Sequence, residues 1–97
     1  MPSAQSYSYD VSGEKQFGFV WANLDKVLEH FGVTRNQVAA DTVFVVDLHQ
    51  HAAAVAAAHL AYFQDHRPTS TTVGAAALFF PGQLLETSVV VRIDLPA

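Results

Sequence analysis

Asp41-Thr42-Val43-Phe44-Val45-Val46-Asp47-Leu48 is the stretch that decides the fold. It is short, β-branched and apolar on both faces. That suits a strand covered by helices on one side and by something else on the other. Toward the N-terminus, Thr34, Arg35 and Asn36 form a polar connection, and before it Glu14 to His30 follows a helical period. Phe17, Val20, Leu24, Val27, Leu28 and Phe31 recur at steps of three and four and so share one face. Lys15, Asn23, Asp25, Lys26 and Glu29 fall mostly on the other. Gly32 stands where a glycine ends a helix. Farther out, Ser6 to Val11 alternates small polar and aromatic residues, the pattern of one short strand closed by Ser12 and Gly13.

Toward the C-terminus, His49 to Phe63 reads as a helix from its alanines and from Val55, His59, Tyr62 and Phe63. Arg67 and Pro68 end it. Thr69 to Leu78 is β-prone at first and rich in small residues later. Pro81 and Gly82 make a turn, and Leu84 to Ile93 alternates as a final strand. The order is a weak strand, then helix, strand, helix, strand, strand. It predicts one α+β domain over residues 1–97, with two helices on one face of the sheet. The other face is left bare. Val43, Val45, Val89 and Val91 cannot all face water, so a partner subunit is expected there.

Composition points the same way. Hydrophobic residues make up 51% and charged residues 14%, against a usual charged share of about 25%. Ala52 to Ala61 is interrupted by His59 and too short to span a bilayer, so no membrane partner is expected. An oligomer interface is the better outlet for the apolar surface. Five Lys and Arg in a chain of net charge −4 argue against nucleic acid as the main partner. With no cysteine, disulfides, thiolate chemistry and Cys-type zinc sites are excluded. Met1 to Ser12 lacks the charged and apolar regions of a signal peptide, and a cytoplasmic location is expected.

Three segments carry a family resemblance. They are Ala22 to Leu28 with Phe31-Gly32-Val33 and Val38; Asp41 to Leu48; and Pro68 through Thr71-Thr72-Val73-Gly74 and Pro81-Gly82 to Leu85-Glu86. In order and spacing they resemble the Rid (YjgF) family, from about Gln16 to Val91. The resemblance implies a chorismate-mutase-like α+β fold, a homotrimer and small-molecule clefts between subunits. It also implies hydrolysis of reactive imines and enamines to ketoacids and ammonia, without a cofactor. Departures accompany it. The family's N-terminal hairpin has only Ser6 to Ser12 to stand in for it. The cleft arginine's position holds Ser70, and the position of a cleft-facing helix asparagine holds Ala56. Glu86 matches the family's glutamate, and His59 aligns with a tyrosine that packs the helix.

The chemistry needs a cation for a substrate carboxylate and a group to position water. Position 70 no longer supplies the cation. Arg67 reads as a helix C-terminal charge and Arg92 as a solvated residue, so a substrate would be neutral or bulkier than an amino acid. Glu86 is the candidate acid/base, or simply a strand-end glutamate. Ser70, Thr71, Thr72 and Ala56 are the candidate substrate contacts, although hydroxyls are also ordinary strand formers. No nucleophile elbow is present. His49, His51 and His59 invite a metal, as a strand-like His-x-His plus a helical histidine, but no further ligand sits at a recognisable spacing, and no metal site is expected. Trp21, Tyr62 and Phe63 read as core or interface aromatics, and Phe79 and Phe80 as cleft-lining or neighbour-packing ones. Three readings remain open: an imine or enamine hydrolase of specialised metabolism, a non-catalytic ligand-binding or scaffold trimer, and a shortened Rid domain whose missing hairpin has removed the cleft.

Overall fold

The decisive stretch is the middle strand of a three-stranded sheet. A computed structural model describes residues 13–97. The strand expected over Ser6 to Val11 lies outside them. The elements run α1 (Lys15–His30), a 3-10 turn (Arg35–Gln37), β1 (Val38–Val46), α2 (Leu48–Phe63), β2 (Thr69–Ala75) and β3 (Leu85–Val91). The sheet order is β2-β1-β3, with β2 parallel and β3 antiparallel to β1. β1 begins at Val38, three residues before the expected start, because Val38 already pairs with Val91 across a bulge at Ala39.

Both helices lie on one face. α1 packs on α2 and β3, and α2 packs also on β2. The core is Phe17, Trp21 and Leu28 from α1, Val38, Val43 and Val45 from β1, Val55, Tyr62 and Phe63 from α2, and Leu85 from β3. Trp21 stacks on Tyr62 at 5.1 Å between ring centres and meets Phe63 edge-on. They are core aromatics, as expected. The α1 stripe is rotated from the expected one. Trp21 is buried, whereas Val27 is 50% and Phe31 72% exposed. Gln16 is buried at the foot of α1. Its Nε2 donates to Gly82 O at 2.8 Å and its Oε1 accepts from Leu84 N at 2.8 Å, which ties α1 to the turn before β3.

Parity along β1 assigns the faces, since successive side chains point to opposite sides. Asp41, Val43 and Val45 are buried under the helices, with their partners Ser70, Thr72 and Gly74 on β2 and Val89, Thr87 and Leu85 on β3. Thr42, Phe44 and Val46 point the other way, with Thr71, Val73 and Ala75 on one side and Ser88 and Glu86 on the other. This corrects the expectation about the valines. Val43 and Val45 are fully enclosed by the chain's own helices, and Val89 and Val91 are half-buried against the same core. Among the described residues the apolar side chains on the other face of the sheet are instead Phe44 and Val46, both half-buried, and Val73 and Val90, the last 60% exposed.

Candidate functional site

The cleft lies between α2 and the β1–β2 half of the sheet. It follows from the joint that builds it. Asp47 alone connects β1 to α2, at φ 54° and ψ 51° in the left-handed region. An aspartate tolerates that region better than most residues. The helix therefore turns straight back over the sheet. Leu48 at the start of the helix lies over Gly74 near the end of β2, where even a Cβ would meet Leu48 Cβ at an ordinary contact distance of 3.6 Å. The resulting hollow has a volume of about 420 Å³. Leu48, Ala52, Val55, Ala56 and His59 come down from the helix with His49, and Val43, Ser70 and Thr72 come up from the sheet.

At one end of this cleft is a polar cluster on a buried carboxylate. The Asp41 side chain has no exposed surface. Its Oδ2 lies 2.8 Å from His59 Nε2, and its Oδ1 accepts from Ser70 Oγ at 2.5 Å. Ser70 Oγ also stands 3.4 Å from His59 Nε2, at the outer edge of hydrogen-bond distance. A carboxylate can only accept, so His59 Nε2 must donate. The residue types match a hydrolase triad, but their order does not. In a triad the histidine sits between serine and carboxylate and takes the serine's proton. Here the carboxylate sits between the other two, and Ser70 gives its hydrogen to Asp41. The cluster therefore holds His59 and Ser70 in place without activating Ser70. Aromatic rings fix the imidazole further: Trp21 meets it edge-on at 5.5 Å, and Phe63 is tilted against it at 4.8 Å.

The sequence-derived candidates divide between the two sides of the sheet. Ala56, Ser70 and Thr72 line the cleft together. Thr71 and Glu86 project from the opposite face, since their β1 partners are Thr42 and Phe44. Glu86 is exposed there. The histidines are dispersed as well. His49 and His51 are helical rather than strand-like, His51 pairs with Glu14 at 2.8 Å, and His59 belongs to Asp41. Among the described residues no group of three metal-ligating side chains forms. Arg67 binds the Gln64 carbonyl just past the end of α2, and Arg92 pairs with Asp94 in solvent. Phe79 is 82% exposed and packs edge-on against Phe80. No described helix is long and apolar enough to cross a membrane.

Asp41 and His59 escaped the reading of the sequence as site residues. One signal was present for each. Asp41 shares the parity of Val43 and Val45, which puts a charge on the buried face. His59 follows Val55 and Ala56 by four and three positions, which puts it on the sheet-facing side of α2.

Residues 3–93 match the Endoribonuclease L-PSP family, the YjgF/Rid family. The chain belongs to this family. Among solved structures it is similar to a candidate endoribonuclease L-PSP from Entamoeba histolytica, at 28% identity and TM-score 0.77 over 82% of this chain and 62% of that one. A Rid-family protein of unknown function from Yersinia pestis matches at 30% identity and TM-score 0.76, over 82% of this chain and 63% of the other. A YjgF/YER057c/UK114-family member from Mycobacterium tuberculosis shares the fold at 22% identity and TM-score 0.80, covering 89% and 72%. The chain thus spans less than two thirds of the first two relatives. No curated protein matches it. Within the Rid fold, the cleft of this chain carries Ser70 on Asp41 where the resemblance places an arginine.

Proposed function

We propose that the chain is a Rid-type ligand-binding domain that assembles as a homotrimer and acts on an imine, an enamine or a related carbonyl compound. One observation carries the reading: Ala56, Ser70 and Thr72 come together on an apolar cleft large enough for a small molecule. Among the described residues no lysine or arginine lines that cleft. A substrate carboxylate would lack the guanidinium fork that binds it best. The substrate is therefore neutral, or carries its charge elsewhere. The bare sheet face, with Phe44, Val73 and Val90, is the surface a neighbouring copy would cover. Glu86 lies on that face. In this reading it orients water or a proton from across a subunit interface rather than within its own chain. RNA cleavage, which the family's name carries, is less well supported by a net charge of −4 and a cleft without cations.

The test is release of ammonia and carbonyl product from imines generated in situ, amino-acid-derived and neutral side by side. Wild type is expected to hydrolyse neutral imines, and Glu86→Ala to lose turnover with the fold intact. A wild type inert with every imine overturns hydrolysis and leaves the second function, a non-catalytic ligand-binding trimer. In that case Glu86→Ala changes only assembly or binding.

A further inference from the structure

We propose that Ser6 to Val11 caps the free edge of β3 as an antiparallel strand, with Tyr7, Tyr9 and Val11 turned into an apolar groove between that edge and α1. The surface is separate from the α2–β2 cleft, and the inference stands whether or not that cleft binds a ligand.

The edge and the groove come first. Among the described residues β3 has one strand neighbour, β1. Its other edge offers N–H and C=O groups to any extended chain. Leu85–Val91 carries one charge, Glu86, and neither a lysine nor a proline to guard that edge. Beside it lies a groove of about 450 Å³, lined by Leu28, Phe31 and Val33 and by Val89, Val91 and Ile93. No residue of β1 or β2 lines it, which puts it at the β3 side of the sheet. Phe31 and Ile93 are largely exposed there. An open strand edge beside an apolar groove suits an extended segment with apolar side chains at alternate positions.

The occupant follows from where the chain enters α1. Gln16 holds the foot of α1 against the turn before β3, through Gly82 O and Leu84 N, each at 2.8 Å. Gly13, at φ 59°, makes a left-handed turn just before it, and Gln16 N donates to Gly13 O at 3.2 Å. The chain that leads into α1 therefore arrives beside the start of β3. From there α1 runs toward Val89 and Val91, which Leu28 and Phe31 meet in the groove. A strand that turns into α1 at Gly13 comes from the Val91 end, antiparallel to β3. Its length fits: at about 3.3 Å per residue Ser6 to Val11 spans about 20 Å, and β3 about 23 Å. Its pattern fits as well, since Tyr7, Tyr9 and Val11 alternate with Ser6, Ser8 and Asp10. Charge selects the register. Asp10 opposite Glu86 would set like charges side by side. Two residues farther along β3, Asp10 faces Ser88, Tyr9 faces Val89, Tyr7 faces Val91, and Gly13 falls beside Leu85. Docked in this way, the segment denies the edge to strands of other chains.

The chain has no cysteine, so engineered pairs trap the contact on a clean background. Asp10→Cys with Ser88→Cys is expected to form a disulfide within one chain under mild oxidation, read by non-reducing electrophoresis. Asp10→Cys with Thr71→Cys, on the opposite edge of the sheet, is expected to form none. Amide hydrogen exchange on the full chain is the second measurement. Residues 7–11 are expected to be protected in wild type. Tyr7→Asp should speed their exchange about tenfold or more, because it puts an unpaired charge into the groove. Ser8→Asp, on the other side of the strand, should leave it nearly unchanged. Unprotected amides at residues 7–11 in wild type overturn the proposal. So do equal disulfide yields from the two pairs, or equal effects of Tyr7→Asp and Ser8→Asp. A disulfide that joins two chains overturns it too, because the edge then takes its strand from a second copy.

Discussion

The two faces of β1 are made from alternate residues of one nine-residue strand, yet they do different things. Asp41, Val43 and Val45 look toward the helices, and they enclose a core and one wall of a cleft. Thr42, Phe44 and Val46 look away, onto a surface that the described chain leaves uncovered. Residues adjacent in sequence, such as Thr71 and Thr72, therefore belong to different environments. The difference teaches that a list of site residues has to be sorted by parity before a mechanism is written. Ser70 and Thr72 can share a ligand within one chain. Glu86 can join them only through another copy.

Substitutions on the two faces should separate folding from assembly. The largest effect is expected at Phe63, which is 2% exposed. Phe63→Ala should cost about 3–5 kcal/mol, read by urea unfolding at fixed protein concentration. If it costs as little as a surface change, the helix-covered face is not the core. On the other face, Phe44→Asp should leave the fold intact by circular dichroism. It should weaken self-association about a hundredfold, read by sedimentation, because a charge would be buried unpaired in the contact. An unchanged sedimentation profile would remove the bare face from the interface.

Smaller effects sharpen the contrast inside the cleft. A guanidinium introduced by Ser70→Arg stands beside Asp41, which Ser70 now binds at 2.5 Å, and will pair with it. The single change should therefore gain no benzoate binding, and adding Asp41→Asn should gain about tenfold. A gain from Ser70→Arg alone would show that Asp41 does not govern the cleft. The smallest effect is expected at Tyr62, whose hydroxyl donates to Asp25 at 2.8 Å. Burial, and then the bond to Asp25, push its phenol well above the usual tyrosine range. Tyr62→Phe should cost about 1 kcal/mol at neutral pH. A raised folded pKa gives stability that is full below the ordinary tyrosine value and declines as pH climbs above about 10. The difference between wild type and Tyr62→Phe should shrink over that range in pH-dependent unfolding.

Much of the fold was legible because local pattern and tertiary demand agree here. The alternation after Leu84, the glycine at position 32 and the valine-rich run from Val43 to Val46 each name an element that the structure contains. Where the reading slipped, the periods themselves were ambiguous. In α1 both the Val27–Phe31 stripe and the Phe17–Trp21–Leu28 stripe satisfy helical spacing, and only packing against Tyr62 and Phe63 selects the second. The cleft was half legible. Ala56, Ser70 and Thr72 were reached through the resemblance and do line one hollow. The Asp41–His59 contact joins residues 18 positions apart on different elements, and no local period encodes such a pair.

The single-residue joint at Asp47 has a thermodynamic consequence. A helix attached to its strand by one residue cannot swing as a lid, because no slack chain lies between them. The far end of α2 is moored too, by His59 on Asp41, and just past it His66 Nε2 bonds the Val38 carbonyl at 2.7 Å. Both ends of the cleft wall are thus fixed before any ligand arrives. In the proposed ligand-binding reading, little conformational freedom would remain to be lost on binding, so even a small, weakly contacting molecule could be held. The same rigidity would make the hollow a gauge of size, rejecting a molecule too broad for the span between α2 and β2.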